Sequence, residues 1–413
     1  MKFSQMGRFT LASLSSLAVC LGLIACTRDY TVAYVYATST KSNPGLVNVY
    51  HVDFQSGSLM QLSDSPVSSG GKNPVGLVVT NSQKSLFVIN RDDSNIVWYQ
   101  IGTDGKIYAQ KTYSTAGSFP VALAISSDDK FLYVVCTYQG TSSTGPGIIN
   151  VFQTADDATN NDYSLTPLTA LNTNVGVTPI GVVASTNATT TATATAPATT
   201  VSFLYVIEQD TTTTSNLLGF SRNTTTGALT ALAGTTVTAT AATGYSSGVL
   251  PSSIVEDPKA RYLYVTDRSA NQVIGYTFSS GGVPTPMNNG PFATGSLPVA
   301  ATIDPRGKFL YVANYNANTV TPFAIDISTG SLSASSGSTG TATGTGPTCV
   351  TIESALGIYL FTSNQLDNSV TGLQLNPSTG ALKNIQNTPF PASGLPSCAA
   401  AVANGDHATQ IVQ

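Results

Sequence analysis

Apolar and polar residues alternate along most of this chain in short runs, each bounded by Gly, Asn, Asp or Pro. A period of two bounded by turn formers predicts β-strands rather than helices. The runs come in a fixed order. A Pro leads a first strand of small and β-branched residues, as in "NPVGLVV", "FPVALAI", "TPIGVVA", "LPSSIVE", "LPVAATI" and "GPTCVTI". A second strand follows, as in "LFVIN" (86–90), "LYVVC" (132–136), "LYVIE" (204–208), "LYVTD" (263–267), "LYVAN" (310–314) and "LFTSN" (360–364), with a degenerate copy "AYVYA" at 33–37. A third strand such as "VTPFAI" then turns at a glycine, as in "DISTGSL", into a fourth.

Four strands in a unit of about 40–50 residues describe a β-propeller blade. Apolar side chains leave both faces of such a sheet, so a lone blade stays wet and stacked blades bury each other. The first unit lacks its Pro-led strand, and the C-terminus carries a spare one, "LPSCAAAVA" at 395–403. Pairing the two ends in one blade removes the open edges. The expected fold class is therefore all-β, a seven-bladed propeller closed by the C-terminal strand.

The first 26 residues stand apart as a targeting segment, with the propeller over 27–413. Lys2 and Arg8 precede the apolar stretch "FTLASLSSLAVCLGLIA", a pattern of signal-peptide type. The segment closes in "LIAC", which resembles the lipobox of bacterial lipoproteins. That resemblance implies acylation of Cys26, a membrane partner through the lipid, and a place in the bacterial cell envelope.

Composition narrows the chemistry. Charged residues make up 9% of the chain and the formal net charge is −4, against about 25% charged in an average domain. No basic stripe exists for nucleic acid. The two histidines are His51 and His407, and the three glutamates are Glu208, Glu256 and Glu353. No zinc spacing, phosphate loop, dinucleotide turn or nucleophile elbow occurs, so neither metal nor cofactor is expected. Two blades depart from the repeat: blade 4 by a Thr-rich insertion at 186–200, expected as a flexible surface loop, and blade 3 by the long connections "TSSTGPG" and "TADDATNNDYSLTP".

At "GKFLYVANYNANTVTPFAIDISTGSL", residues 307–332, the chain resembles the YVTN-type and lactonase-type seven-bladed propellers, which include the propeller-form 6-phosphogluconolactonases and carboxymuconate cyclases. The resemblance spans nearly all of the chain after residue 26 and implies a lactone hydrolase or a non-catalytic YVTN-type surface scaffold. The Pro-His-X-His element of the phosphogluconolactonase members has no counterpart here, where "LPSSIVEDP", "LPVAATIDP" and "FPVALAISS" lead into the blades. That argues against a phosphorylated sugar lactone.

In such a ring the residues closing each second strand gather on one face: Ala37, Asn90, Cys136, Glu208, Asp267, Asn314 and Asn364. Lactone hydrolysis needs a base for water and a cation for the developing oxyanion. Glu208 or Asp267 as base, with Arg268 or Arg91 as electrophile, meets that need, and Asn90, Asn314 and Asn364 are candidate ligand contacts. The competing reading makes these residues turn caps that bond the backbone. Convergence in one pocket marks an enzyme; dispersal into local turns marks a scaffold for a small molecule or protein, and an adhesive surface protein is a third possibility. Cys349 and Cys398 occupy the same place in the first strands of neighbouring blades, a candidate disulfide in an oxidising compartment. A monomer is expected.

Overall fold

The computed structural model describes residues 31–412 apart from 156, 158, 187, 190–199, 210–214, 239–240, 336–339 and 406–409. Residues 1–30 are outside that set, so the signal segment and Cys26 lie outside the described residues, as does His407.

The described chain forms seven antiparallel sheets arranged as propeller blades. Blade 6 serves as the type: Pro298–Ile303, Phe309–Asn314, Thr319–Ile325 and Leu332–Ala334, paired in sequence order from the axis outward. Blade 1 is completed by the C-terminal strand Pro396–Ala403, which pairs antiparallel with Thr31–Ser39. The closure expected from the spare strand is thus observed.

The fourth strand is shorter than the repeat suggests. It spans three residues in six blades and eight only in blade 2, Ile107–Ser114. In the other six a further two-residue strand, such as Phe292–Ala293 in blade 5, pairs with the opposite end of the third strand. Short, broken outer strands blunt the only edges that a closed ring leaves free.

Seven apolar clusters hold the ring, one at each seam between neighbouring blades. The second and third strands together supply most of each; Phe309–Asn314 is buried along its whole length. The conserved-looking spelling of the repeat has a direct cause. In five blades the second-strand tyrosine donates a hydrogen bond to the carbonyl of the turn glycine in the next blade: Tyr36 to Gly105, Tyr133 to Gly227, Tyr205 to Gly282, Tyr264 to Gly330 and Tyr311 to Gly380. The two blades without this bond carry Phe87 and Phe361 there. The aromatic residue two positions earlier packs on the same glycine, so a Cβ on Gly380 would sit 2.3 Å from Phe309 Cδ1. With φ at +72° as well, that turn admits only glycine without strain.

The inner strands of adjacent blades also touch one another around the axis. Each is bulged directly after its proline. At three seams the hydroxyl of the bulged residue reaches the proline carbonyl of the next blade: Ser252 to Pro298, Thr348 to Pro396 and Ser397 to Pro74. These bonds satisfy carbonyls that a bulge leaves out of the ladder.

Of the Thr-rich insertion in blade 4, the two ends pair as a small ladder, Ala188–Thr189 with Thr200–Val201, and most of the rest is outside the described residues. No helix among the described residues is long and apolar enough to cross a membrane.

Candidate functional site

The second-strand ends form the expected ring, with one change of membership. Each ring residue pairs with the proline that opens its blade's inner strand: Asn90 with Pro74, Cys136 with Pro120, Glu208 with Pro179, Asp267 with Pro251, Asn314 with Pro298 and Asn364 with Pro347. In blade 1 the partner of Pro396 is Ser39, not Ala37, because "AYVYA" continues two residues further before the strand ends.

These side chains close hairpins inside their own blades. Asn90, Asp267, Asn314 and Asn364 have no exposed surface, and Glu208 keeps 1%. The Asp267 carboxylate accepts from the backbone N–H of Val249, Leu250, Ser269 and Ala270 at 3.0–3.4 Å. Glu208 accepts from the Asn216 amide across its hairpin. Asn90 bonds Asn95, Asn314 bonds Thr319 and Thr321, and Asn364 bonds Ser369 and Thr371. A glycine of the segment leading into the blade lies over most of them: Gly71 on Asn90, Gly176 on Glu208, Gly248 on Asp267, Gly295 on Asn314 and Gly344 on Asn364. The structure therefore spreads Glu208, Asp267 and the three asparagines into separate local turns and does not open them onto a shared cleft.

One residue further along, the chain reaches the open end of the channel. The residue before each proline offers its carbonyl to the residue after each ring member. Arg91 N–H donates to Asn73, Gln209 to Thr178, Arg268 to Leu250, Tyr315 to Leu297, Gln365 to Gly346 and Thr40 to Leu395, all at 2.8–3.1 Å. In blade 3 the Thr137 hydroxyl does the same for Phe119. These pairs rim the proline-side mouth. Several lead-in residues are held in the left-handed region, including Phe119, Leu297 and Leu395 at φ of +55° to +57°. For bulky side chains that conformation costs about 1–3 kcal/mol each and collects at sites whose shape matters.

The mouth holds both arginines named from the sequence. Arg91 is exposed, lies over the Phe119 ring with 5.2 Å to the centroid, and meets Asp92 at 3.4 Å. Phe119 in turn meets Tyr138 edge-on. Arg268 is half-buried, and its guanidinium has no hydrogen bond or ion pair to another described residue. Tyr315 donates to Gln365 at 3.3 Å across the seam of blades 6 and 7.

The remaining arginines of the described residues sit at the opposite end and are consumed by structure. Arg306 binds Asp304 at 2.6 Å and caps the Gly357 and Val412 carbonyls; Arg261 grips Asp257 at 2.8 Å; Arg222 is fully buried near Asp128 and Ser202. His51 is in the third strand of blade 1 beside Thr31, away from the mouth. Trp98 is core, donating to Ser85. Among the described residues no group of three or more His, Cys, Asp or Glu is placed to hold a metal.

Sequence reasoning named Arg91 and Arg268 but missed Phe119, Leu297 and Gln365 as mouth residues. Their signal was positional: one place before the proline, or one place after the ring.

Comparison with known proteins agrees with this architecture. A family model for the lactonase, 7-bladed β-propeller, matches residues 45–144 and 198–352, together more than half of the chain. Among solved structures, the periplasmic gluconolactonase PpgL of Pseudomonas aeruginosa is 18% identical, with 90% of this chain and 99% of that chain covered at a TM-score of 0.66. A Bacteroides fragilis protein provisionally assigned as a 6-phosphogluconolactonase is also 18% identical, with 91% and 99% covered at 0.66. A second such protein, from Bacteroides uniformis, is 17% identical, with 91% and 100% covered at 0.67. No curated protein sequence matches the chain. The blades, their closure and the family match agree: this chain belongs to the lactonase family of seven-bladed β-propellers.

Proposed function

We propose that the protein binds a lactone, or the hydroxy acid to which a lactone opens, at the proline-side mouth of its channel, and hydrolyses it there. The carrying observation is the partition of arginines. Three are engaged in structure at one end, while Arg91 and Arg268 remain at the mouth, in equivalent places of blades 2 and 5. A guanidinium recognises a carboxylate and stabilises the oxyanion that forms when water adds to a lactone carbonyl. In that reaction the ring C–O bond breaks and the ring oxygen takes a proton. Phe119, Tyr138 and Tyr315 offer flat apolar surfaces for the ring itself. The periplasmic gluconolactonase of the same fold supports an aldonolactone, by analogy of fold alone.

A second reading, binding without turnover, is favoured by the sealing of Glu208 and Asp267 in hairpins, which removes the two carboxylates best suited by sequence to act as base. Acid release from sugar and aliphatic lactones, 6-phosphogluconolactone included, separates the two readings when calorimetry with the corresponding acids is run beside it. Arg268→Gln is expected to weaken turnover or binding by about 10- to 100-fold, the worth of one charge-assisted hydrogen bond. Saturable binding without acid release selects the scaffold. Turnover that ignores Arg268→Gln but collapses in Glu208→Gln returns the base to the ring and sinks the mouth as the site. Neither binding nor turnover ends both readings.

The lipobox motivates a companion proposal, that Cys26 is acylated and tethers the propeller in the cell envelope. Incorporation of labelled fatty acid into the full chain, lost in Cys26→Ala, is the expected result; equal labelling of the variant contradicts it.

A further inference from the structure

The seam between blades 7 and 1 differs from the other six. Its inner strands, Pro347–Ile352 and Pro396–Ala403, lie side by side, and each places a cysteine directly after the bulge. The Cys349 and Cys398 sulfurs are 3.2 Å apart. At that separation the two sulfurs are in direct contact across the seam. The Cys349 sulfur also accepts the Ala399 N–H at 3.1 Å, which holds it against the neighbouring strand. Both residues are half-buried, unlike Cys136, which is fully enclosed and whose thiol burial pushes up to about 12. For the close pair, the hydrogen bond between the sulfurs favours loss of the Cys398 proton, and that thiolate is the nucleophile an exchange reaction needs.

We propose that Cys349 and Cys398 form a disulfide that clasps the closing strand of the propeller to blade 7. The reaction is thiol–disulfide exchange. The Cys398 thiolate attacks a small-molecule or protein disulfide and expels one thiolate; Cys349 then attacks the mixed disulfide and expels the second. The two cysteines are oxidised, the incoming disulfide is reduced to two thiols, and the two protons balance the leaving thiolates.

The position gives the bond a purpose. Blade 1 is the one blade whose inner strand comes from the far end of the chain, so ring opening begins by peeling Pro396–Ala403 from Thr31–Ser39. A bond to Cys349 keeps the peeled strand seated beside blade 7, where it remains a template for re-pairing. It also closes a loop with a sequence separation of 49 residues, which restricts the unfolded chain.

Full-length protein equilibrated with oxidised glutathione, then digested without reductant, tests the bond directly. The expected result is a cross-linked peptide pair containing Cys349 and Cys398, lighter by two hydrogens, with Cys136 recovered as a free thiol. Oxidation should raise Tm by about 5 °C over the reduced protein, a difference that Cys398→Ser and Cys349→Ser each abolish. Slower amide exchange over residues 396–403 in the oxidised form is the matching local signature. Recovery of both cysteines as free thiols after oxidation, or their pairing between two chains, overturns the proposal.

Discussion

A tyrosine hydroxyl and a glycine carbonyl explain much of what repeats in this sequence. The tyrosine contributes a large buried ring to one seam and one hydrogen bond across it, and the glycine supplies both a left-handed turn and room for an aromatic ring. Removing the hydroxyl leaves a buried carbonyl unpaired, which costs about 1–3 kcal/mol. Tyr311→Phe should lose that much in urea unfolding yet still fold, since Phe87 and Phe361 hold the same place in two natural blades. Gly380→Ala should cost more than Tyr311→Phe, because it adds a steric clash to an unfavourable φ. Equal stability of Gly380→Ala and wild type would remove this account of the repeat.

Among the strands, the ends do more specific work than the middles. The inner strand of blade 5, Pro251–Glu256, ends on a carboxylate that accepts the Ser185 hydroxyl and, at 3.1 Å, the Thr186 N–H of blade 4. Burial outweighs these bonds and raises its pKa from 4.5 to about 7. A carboxylate raised by folding binds its proton more tightly in the native state. Its contribution is therefore complete below about pH 4.5 and disappears as pH rises through 7, a swing of up to about 3 kcal/mol. Glu256→Gln should gain on the wild type between pH 5 and pH 8 in urea titrations. A difference that is constant with pH would mean the carboxylate titrates normally.

The molecule as a whole is a ring whose stability depends on one non-covalent joint. Seven seams of similar composition share the burial, but only the strand Pro396–Ala403 converts an open array into a closed one. A chain ending at Leu395 should leave the Thr31–Ser39 edge unpaired and the blade 7 face wet. Size-exclusion chromatography of that truncation is expected to show aggregates or oligomers. A well-behaved monomer with the thermal stability of the full chain would show that closure is dispensable. The same closure frames the mouth, because Leu395 and Thr40 complete its rim at the joint.

Fold, blade number and closure were all legible in the amino-acid order. Strand periodicity and turn chemistry are local properties, and seven copies of a local pattern leave few ways to assemble. What the side chains at the strand ends do was not legible. Glu208 and Asp267 have the spelling of catalytic carboxylates, but a lead-in segment from far outside their hairpin folds a glycine over each. At the turn end Arg261 and Arg306 have Asp257 and Asp304 close by in sequence, but Asp128 reaches Arg222, and the carbonyls of Gly357 and Val412 reach Arg306, only through space. Burial and partnership are set by residues distant in the chain, so only the tertiary structure could decide which charges stiffen the ring and which are left to meet a ligand.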